Sequence, residues 1–335
     1  MSTNTPDQNH GPDADIQPDT FDDGDSGLGL GSFRDSTTSL SSSIFRYREE
    51  NGRTYHAYKD GKYILPNDER ENDRLDLQHH MFLMTFDSKL VVCPFGDKLN
   101  RVLDVGTGTG IWAIDFADEH PEADVIGVDL SPIQPEFISP NLRFEVDDAE
   151  ELWAFAQKFD LIHTRMLNAS FSDWPKFFTQ CLDNLEPGGW LEMQDCAVPM
   201  RADDNSWPDD SALRQMNNLI LEAGPKMGRP VDVVQKYKQL MIDAGFENVV
   251  EMVYKWPTNT WPKAAKFKEL GAWSLENFDS GLEGMIVALF TRVLGWTHDE
   301  VQVFLVGVRK DLRNKNIHAY WPIYVVYGQK GPAKA

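Results

Sequence analysis

The ten residues 101–110, RVLDVGTGTG, limit what this chain can fold into more than any other stretch. An apolar run of strand character (Val102, Leu103, Val105) stops at three alternating glycines, Gly106, Gly108 and Gly110, and a helix-like stretch, IWAIDFADEH, begins at once. Strand, tight turn and helix start in that order open an α/β unit. Glycines at the turn permit positive φ and let a ligand lie against backbone with no Cβ between them. The unpaired amides of the helix N-terminus face the same space. A nucleotide-like ligand is expected there.

Several cofactors use such a turn. The dinucleotide fingerprint places a third glycine or alanine one position later than here, where this chain has Ile111. No Gly-Lys-Ser/Thr follows, which excludes a Walker phosphate loop. The spacing is instead D-x-G-x-G-x-G, with Asp104 ahead of Gly106, Thr107 and Gly108, and it resembles the first motif of S-adenosylmethionine (SAM) dependent methyltransferases. SAM has no pyrophosphate to seat on a helix terminus, but it carries an ammonium and a sulfonium that an acidic neighbourhood tolerates. The alternative is that the glycines only let helix and strand pack closely.

The segments that follow read as further α/β units. ADVIGVDLS (residues 123–131) is a buried strand ending in Asp129 and Leu130, about twenty residues beyond the glycines, where a carboxylate is placed to accept both hydroxyls of a ribose. Capping a helix is the other use for Asp129. LRFEVDDAEEL is the third strand and runs into Asp147, Asp148 and Ala149. In methyltransferases similar to this chain an acid there lies beside the adenine amino group, and Asp148 is the preferred one. KFDLIHTRML puts His163, Thr164 and Arg165 near the carboxyl end of the fourth strand, the side on which open α/β sheets bind ligands. A helix over 174–185, a Glu-Pro-Gly-Gly turn and a fifth strand, WLEMQDC, bring Gln194 and Asp195 to the same end. Helix, L-x-P-G-G and apolar strand resemble the post-core motif of class I methyltransferases.

Outside this core, residues 1–43 are rich in Asp, Pro, Gly, Ser and Thr and read as a disordered acidic, Ser-rich tail. Residues 44–98 read as a cap: a tyrosine-dense hairpin or extended segment, then an amphipathic helix from about 67 to 89 that the resemblance implies is a lid. Residues 99–200 form the SAM-binding core, and 201–330 the C-terminal half of the same domain. The latter holds helical patterns at 209–223 and 231–244, a strand over 248–256, a helical insertion over 263–314 opened by a Thr297 to Glu300 capping box, and a last strand over 319–330, antiparallel beside the sixth. A formal charge of −21 argues against nucleic acid or an anionic membrane surface as partner. Cys93, Cys181 and Cys196 have no metal-ligand spacing, so no metal is expected. No apolar run reaches spanning length, leaving cytoplasm or nucleus.

Taken together, DVGTGTGIWAIDFADEHP, VIGVDLSPIQP, FEVDDAEE, FDLIHTR, LEPGGWLEMQD, GRTYHAYKDGKYILPNDERENDRLDLQHH and IHAYWPIYVVYG resemble the fungal LaeA-like methyltransferases of secondary metabolism over about residues 45–328. The resemblance implies a class I fold, a seven-stranded mainly parallel sheet flanked by helices, with SAM as cofactor. It also implies either methylation of a small molecule or a nuclear regulatory role through velvet-type partners. If the acceptor is a hydroxyl, His163 is the candidate base, with Tyr55, His56, His79 and His80 as weaker ones. Tyr55, His56, Tyr63, His79 and Gln194 are the expected pocket residues. Ile111 disfavours a nicotinamide-dependent oxidoreductase.

Overall fold

The structure is a computed structural model and describes residues 16–17, 47–59, 61–62, 64–96 and 99–332. The acidic tail read for 1–43 and the pocket assignment of Tyr63 therefore lie outside the described residues, apart from Ile16 and Gln17. The first elements among the described residues form a hairpin, β1 (Arg48–Glu50) and β2 (Arg53–Tyr55), turned at Asn51-Gly52. The described residues that follow form a strap without helix or strand up to α1 (Glu69–Thr85), which Asp68 caps by accepting from the Glu71 amide.

The central sheet contains β3 (Arg101–Val105), β4 (Asp124–Asp129), β5 (Leu142–Val146), β6 (Phe159–Arg165), β7 (Leu185–Cys196), β8 (Glu247–Pro257) and β9 (Tyr320–Gln329). Their order is β5-β4-β3-β6-β7-β9-β8, and only β9 runs antiparallel to its neighbours. Strand order reverses between β3 and β6, so their carboxyl ends splay apart and leave a crevice. The Glu-Pro-Gly-Gly segment belongs to β7 as a wide irregularity between the Phe159–Leu185 and Leu161–Trp190 pairs, with Gly188 at φ 85°.

Helices cover both faces. α2 (Ile111–Glu119) follows the glycine turn, and α3 (Trp174–Asn184), α4 (Ala212–Met227) and α5 (Tyr237–Ala244) follow β6 and β7. The insertion before the last strand is α6 (Ala265–Leu294) and α7 (His298–Leu312). α7 opens with the expected capping box, Thr297 with Glu300, and α5 ends at Gly245 in the left-handed conformation. Among the described residues no helix is long and apolar enough to cross a membrane.

Side-chain alternation with period two sorts the central strands. Leu103, Ile162, Leu191 and Met193 pack with α3 and α5 on one face. On the other, Val102, Leu161 and Trp190 pack with Trp112 and Phe116 of α2. This second face also carries a buried polar row, since Asp104 pairs in register with His163 and His163 with Glu192. Around the far end, α1, α4, α6 and α7 form a separate apolar cluster with β8 and β9, roofing the crevice.

Candidate functional site

A cavity of about 300 Å³ occupies the crevice at the carboxyl ends of the strands. One end is polar and is built from the glycine turn. Gly106 and Thr107 donate their amides to the Val128 carbonyl, at 2.8 and 3.0 Å, which ties the turn to β4. At Gly106 (φ 71°) a Cβ would meet Leu167 at 2.5 Å, Gly108 holds φ 58°, and both line the cavity. Gly110 differs. It has φ 82° and starts α2, a Cβ there would enter the Phe144 ring, and it does not line the cavity. At this third glycine the missing Cβ makes room for Phe144, as the packing alternative has it.

Asp129 ends β4 against the turn, its carboxylate accepting from Gly108 N at 2.9 Å and from Ser131 N at 2.9 Å. No helix follows it, so it caps none. Burial raises its pKa to about 6 against the lowering effect of those two amides. Leu130 and Ala149 line the same end, with Asp147 exposed and Asp148 buried. The Asp148 carboxylate takes the Glu150 amide and the Lys62 ammonium. Lys62 also reaches Glu150 at 3.0 Å, while Lys59 reaches Glu151 at 2.8 Å. These pairs clamp the strap across the mouth. Glu150 is their hub: it binds Ser172 and Arg229 as well, and those hydrogen bonds outweigh its burial and draw its pKa to about 2.

A smaller hollow lies behind the turn, lined by Gln78, Asp104, Thr107, Trp112, His163 and Arg165 among others. Asp104 accepts from the Thr107 hydroxyl at 2.6 Å and shares 2.7 Å with His163 Nδ1. The His163 ring lies flat on Trp112 at 3.7 Å. Arg165, half-buried over the Phe82 ring and lowered to about 10 by desolvation, borders both spaces.

The other end of the large cavity is apolar. α4 contributes Met216 and Ile220, α6 contributes Phe278, Leu282, Met285 and Ile286, and β9 contributes Trp321. From α1 comes a polar stripe, Glu71, Arg74 and Gln78, in which Arg74 is held by Glu71 and by Asn277 of α6. Asp195 closes the strand side. It accepts from the Tyr237 hydroxyl at 3.0 Å and from the Cys196 amide at 2.8 Å, and burial raises it to about 7.

Several expected residues stand elsewhere. His163 is wholly buried on the α2 face and lies outside the wall of the large cavity, so it does not meet an acceptor there. Asp104 and Thr107 share that second layer. Gln194 points to the same face as His163 and donates to Leu90 O and Glu192, whereas its neighbour Asp195 points to the cavity. Tyr55 packs between Arg48 and Arg292 away from the cavity. His56 is buried with Nδ1 at 2.6 Å from Tyr58 O and is not a lining residue. His79 joins α1 to α2 through Asp115 at 2.9 Å, with Arg165 at 3.0 Å from its other nitrogen. Burial and the nearby Arg165 hold it neutral, with a pKa of about 3, and it too is off the cavity. Unforeseen lining residues come from the loop 166–171 and from Asn67, Glu71 and Arg74.

The sheet order, the glycine turn and an acid at the tip of the second core strand define a SAM-binding α/β enzyme of the class I methyltransferase type. Gly106, Gly108 and Asp129 line one wall of the cavity, with the Asp129 carboxylate at the turn, which suits a ligand carrying paired hydroxyls. Comparison with known proteins agrees. The Methyltransferase domain family matches residues 77–251. Methyltransferase pytC of Aspergillus terreus is 42% identical over 296 residues, covering 88% of this chain and 91% of its own. Secondary metabolism regulator LAE1 of Cochliobolus heterostrophus is 40% identical, covering 82% and 92%. A solved phosphoethanolamine N-methyltransferase 2 of Haemonchus contortus, in complex with SAM, aligns at 18% identity and a TM-score of 0.44 over 81% of this chain and 54% of that one. The chain belongs to the methyltransferase domain family, within its fungal secondary-metabolism group. It is a SAM-dependent methyltransferase, and the oxidoreductase reading falls away.

Proposed function

We propose that this enzyme methylates a small, flat, largely apolar molecule of fungal secondary metabolism, working in the cytoplasm or nucleus. The observation that carries the reading is the continuity of one cavity from the glycine turn and Asp129 to an apolar chamber of Phe278, Met285, Ile286 and Trp321. SAM supplies a methyl group made electrophilic by its positively charged sulfur. Asp129 would accept the ribose hydroxyls, with Leu130 against the adenine and Asp148, Ala149 and Asp147 at the adenine edge. Gly106 and Gly108 would lie along the adenosyl chain, and Arg165 with Gln78 would meet the methionyl carboxylate. Asp104, Thr107 and His163 hold the turn from behind, and Gly110 starts its helix. The roof of α1, α4 and α6 keeps water from the acceptor. Alignment in a dry chamber is worth on the order of 7–11 kcal/mol of barrier, so no covalent residue is needed. Incubating the purified protein with methyl-labelled SAM and an extract of a producing strain is expected to label a low-mass product. Label found only in protein, or nowhere, would reject the small-molecule acceptor.

A second reading is regulation through velvet-type protein partners, favoured by the 40% identity to the regulator LAE1. Under it, capture from nuclear extract recovers a velvet-type protein, and deletion changes expression of metabolite genes beyond one cluster.

A further inference from the structure

Arg165 ends β6 and borders both the large cavity and the hollow at the glycine turn. Helix α1 grips its guanidinium at two points one turn apart. The Phe82 ring lies under the group, with Cζ 5.0 Å from the ring centre, and His79 Nδ1 lies 3.0 Å from Nη1. An arginine only donates, so His79 Nδ1 must accept, and the one proton of the neutral ring sits on Nε2. That proton goes to the Asp115 carboxylate of α2, 2.9 Å away. Asp115 therefore fixes the tautomer and tilt of the imidazole, and the imidazole fixes the rotation of the guanidinium. Burial and the Arg165 charge hold His79 neutral, with a pKa of about 3, so the acceptor persists at ordinary pH.

With one face and Nη1 taken, the edge formed by Nε and Nη2 remains. It has no hydrogen-bond partner among the described residues, yet neither atom is closed off from the surrounding space, in contrast to Gln78 Nε2 and His163 Nε2 nearby. The carboxylates around it are engaged elsewhere: Asp104 with His163 and Thr107, Asp76 with Thr109, and Asp115 with His79. None of them forms an ion pair with Arg165 among the described residues. A half-buried guanidinium without a counter-charge loses hydration and gains nothing for it until an anion arrives. Two parallel N–H bonds on one guanidinium edge match the two oxygens of a carboxylate. On SAM the methionyl carboxylate is the one group of that kind.

We propose, on the cofactor placement given above, that His79 is a positioning residue: through Nδ1 it sets the Nε and Nη2 edge of Arg165 on the methionyl carboxylate of SAM, and so ties cofactor affinity to the seating of α1 on α2.

The test compares S-adenosylhomocysteine with S-adenosyl-3-thiopropylamine, which lacks only the carboxylate, by calorimetry on the full chain. The unaltered protein is expected to bind the first about thirtyfold tighter, and Arg165→Gln to bind the two about equally. His79→Asn keeps an acceptor at the Nδ1 position and should hold a preference of about tenfold or more. His79→Gln keeps an N–H toward Asp115 but no acceptor for Arg165, and should reduce the preference to about threefold. Affinity for the thiopropylamine is expected to stay unchanged throughout, which reports an intact fold and adenosyl end. Equal affinities for the two compounds in the unaltered protein, or the same preference in both His79 variants, overturns the inference. Where a variant does not fold, NMR correlations of the imidazole nitrogens in the unaltered protein decide: a proton on His79 Nε2 supports the assignment and a proton on Nδ1 overturns it. Failure to bind either compound rejects the methyltransferase site itself, while binding of both without discrimination rejects only the role given to Arg165 and His79.

Discussion

Replacing Asp129 by Ala removes a cavity-lining carboxylate that accepts from the Gly108 amide of the glycine turn. Two hydroxyl bonds to a carboxylate would be lost, and hydrogen bonds to charged groups contribute about 1.5–3 kcal/mol each. Because the carboxylate also loses its repulsive burial, with a pKa raised to about 6, a net weakening of about 1.5–3 kcal/mol is expected, or roughly 10- to 150-fold in Kd for SAM. The variant also frees the Gly108 and Ser131 amides, so a loss of affinity alone does not separate ribose contact from loop collapse. A chemical cycle does. Calorimetry with S-adenosylhomocysteine and its 2′-deoxyribose analogue should show a deoxy penalty of about tenfold in the unaltered protein and close to none in Asp129→Ala. An equal deoxy penalty in both proteins would refute the assignment, since the hydroxyl would then be bound elsewhere.

Other consequences follow from the same geometry. Binding of SAM should weaken as pH falls through 6, because ribose hydroxyls favour the ionised form of Asp129. With a pKa of about 6, affinity at pH 5 is expected near one tenth of that at pH 7, and a flat profile in a titration series would count against it. Lys62→Met unclamps the strap from Asp148 and Glu150. Stopped-flow dissociation of S-adenosylhomocysteine should quicken about three- to tenfold and lose its dependence on salt; an unaltered off-rate would show that the strap does not gate the cofactor end. His163→Asn, beneath the turn and away from the acceptor chamber, should raise the KM for SAM several-fold while leaving the pH dependence of kcat in place. Disappearance of a titrating limb would restore His163 as a base.

The sheet was legible because its signals are local. Val102 to Val105, the glycines, the strand ending at Asp129 and the one running into Asp147 and Asp148 each carry their own apolar run and turn, and the Thr297 box announced α7. Site residues were harder, for a reason visible in β6 and β7. Period two decides which face a side chain occupies, and without the register of neighbouring strands nothing in the sequence says that Asp195 faces the cavity while Gln194 and His163 face α2. On α1 the stripe of Glu71, Arg74 and Gln78 reads as a solvated face. Only the arrival of α6, with Asn277 bonded to Arg74, turns it into a cavity wall. Tyr55 and His56 misled for a simpler reason: aromatic density near a presumed lid suggested a pocket, yet Tyr55 is used to fasten the hairpin to Arg292.

The most direct measurement is the crystal structure of the complex with S-adenosylhomocysteine. Density for the ribose hydroxyls on the Asp129 carboxylate, adenine beside Asp148, and the sulfur turned toward the chamber of Phe278 and Trp321 is the expected result. Density that seats the ligand away from Asp129, or directs its sulfur to open solvent rather than into that chamber, would contradict it.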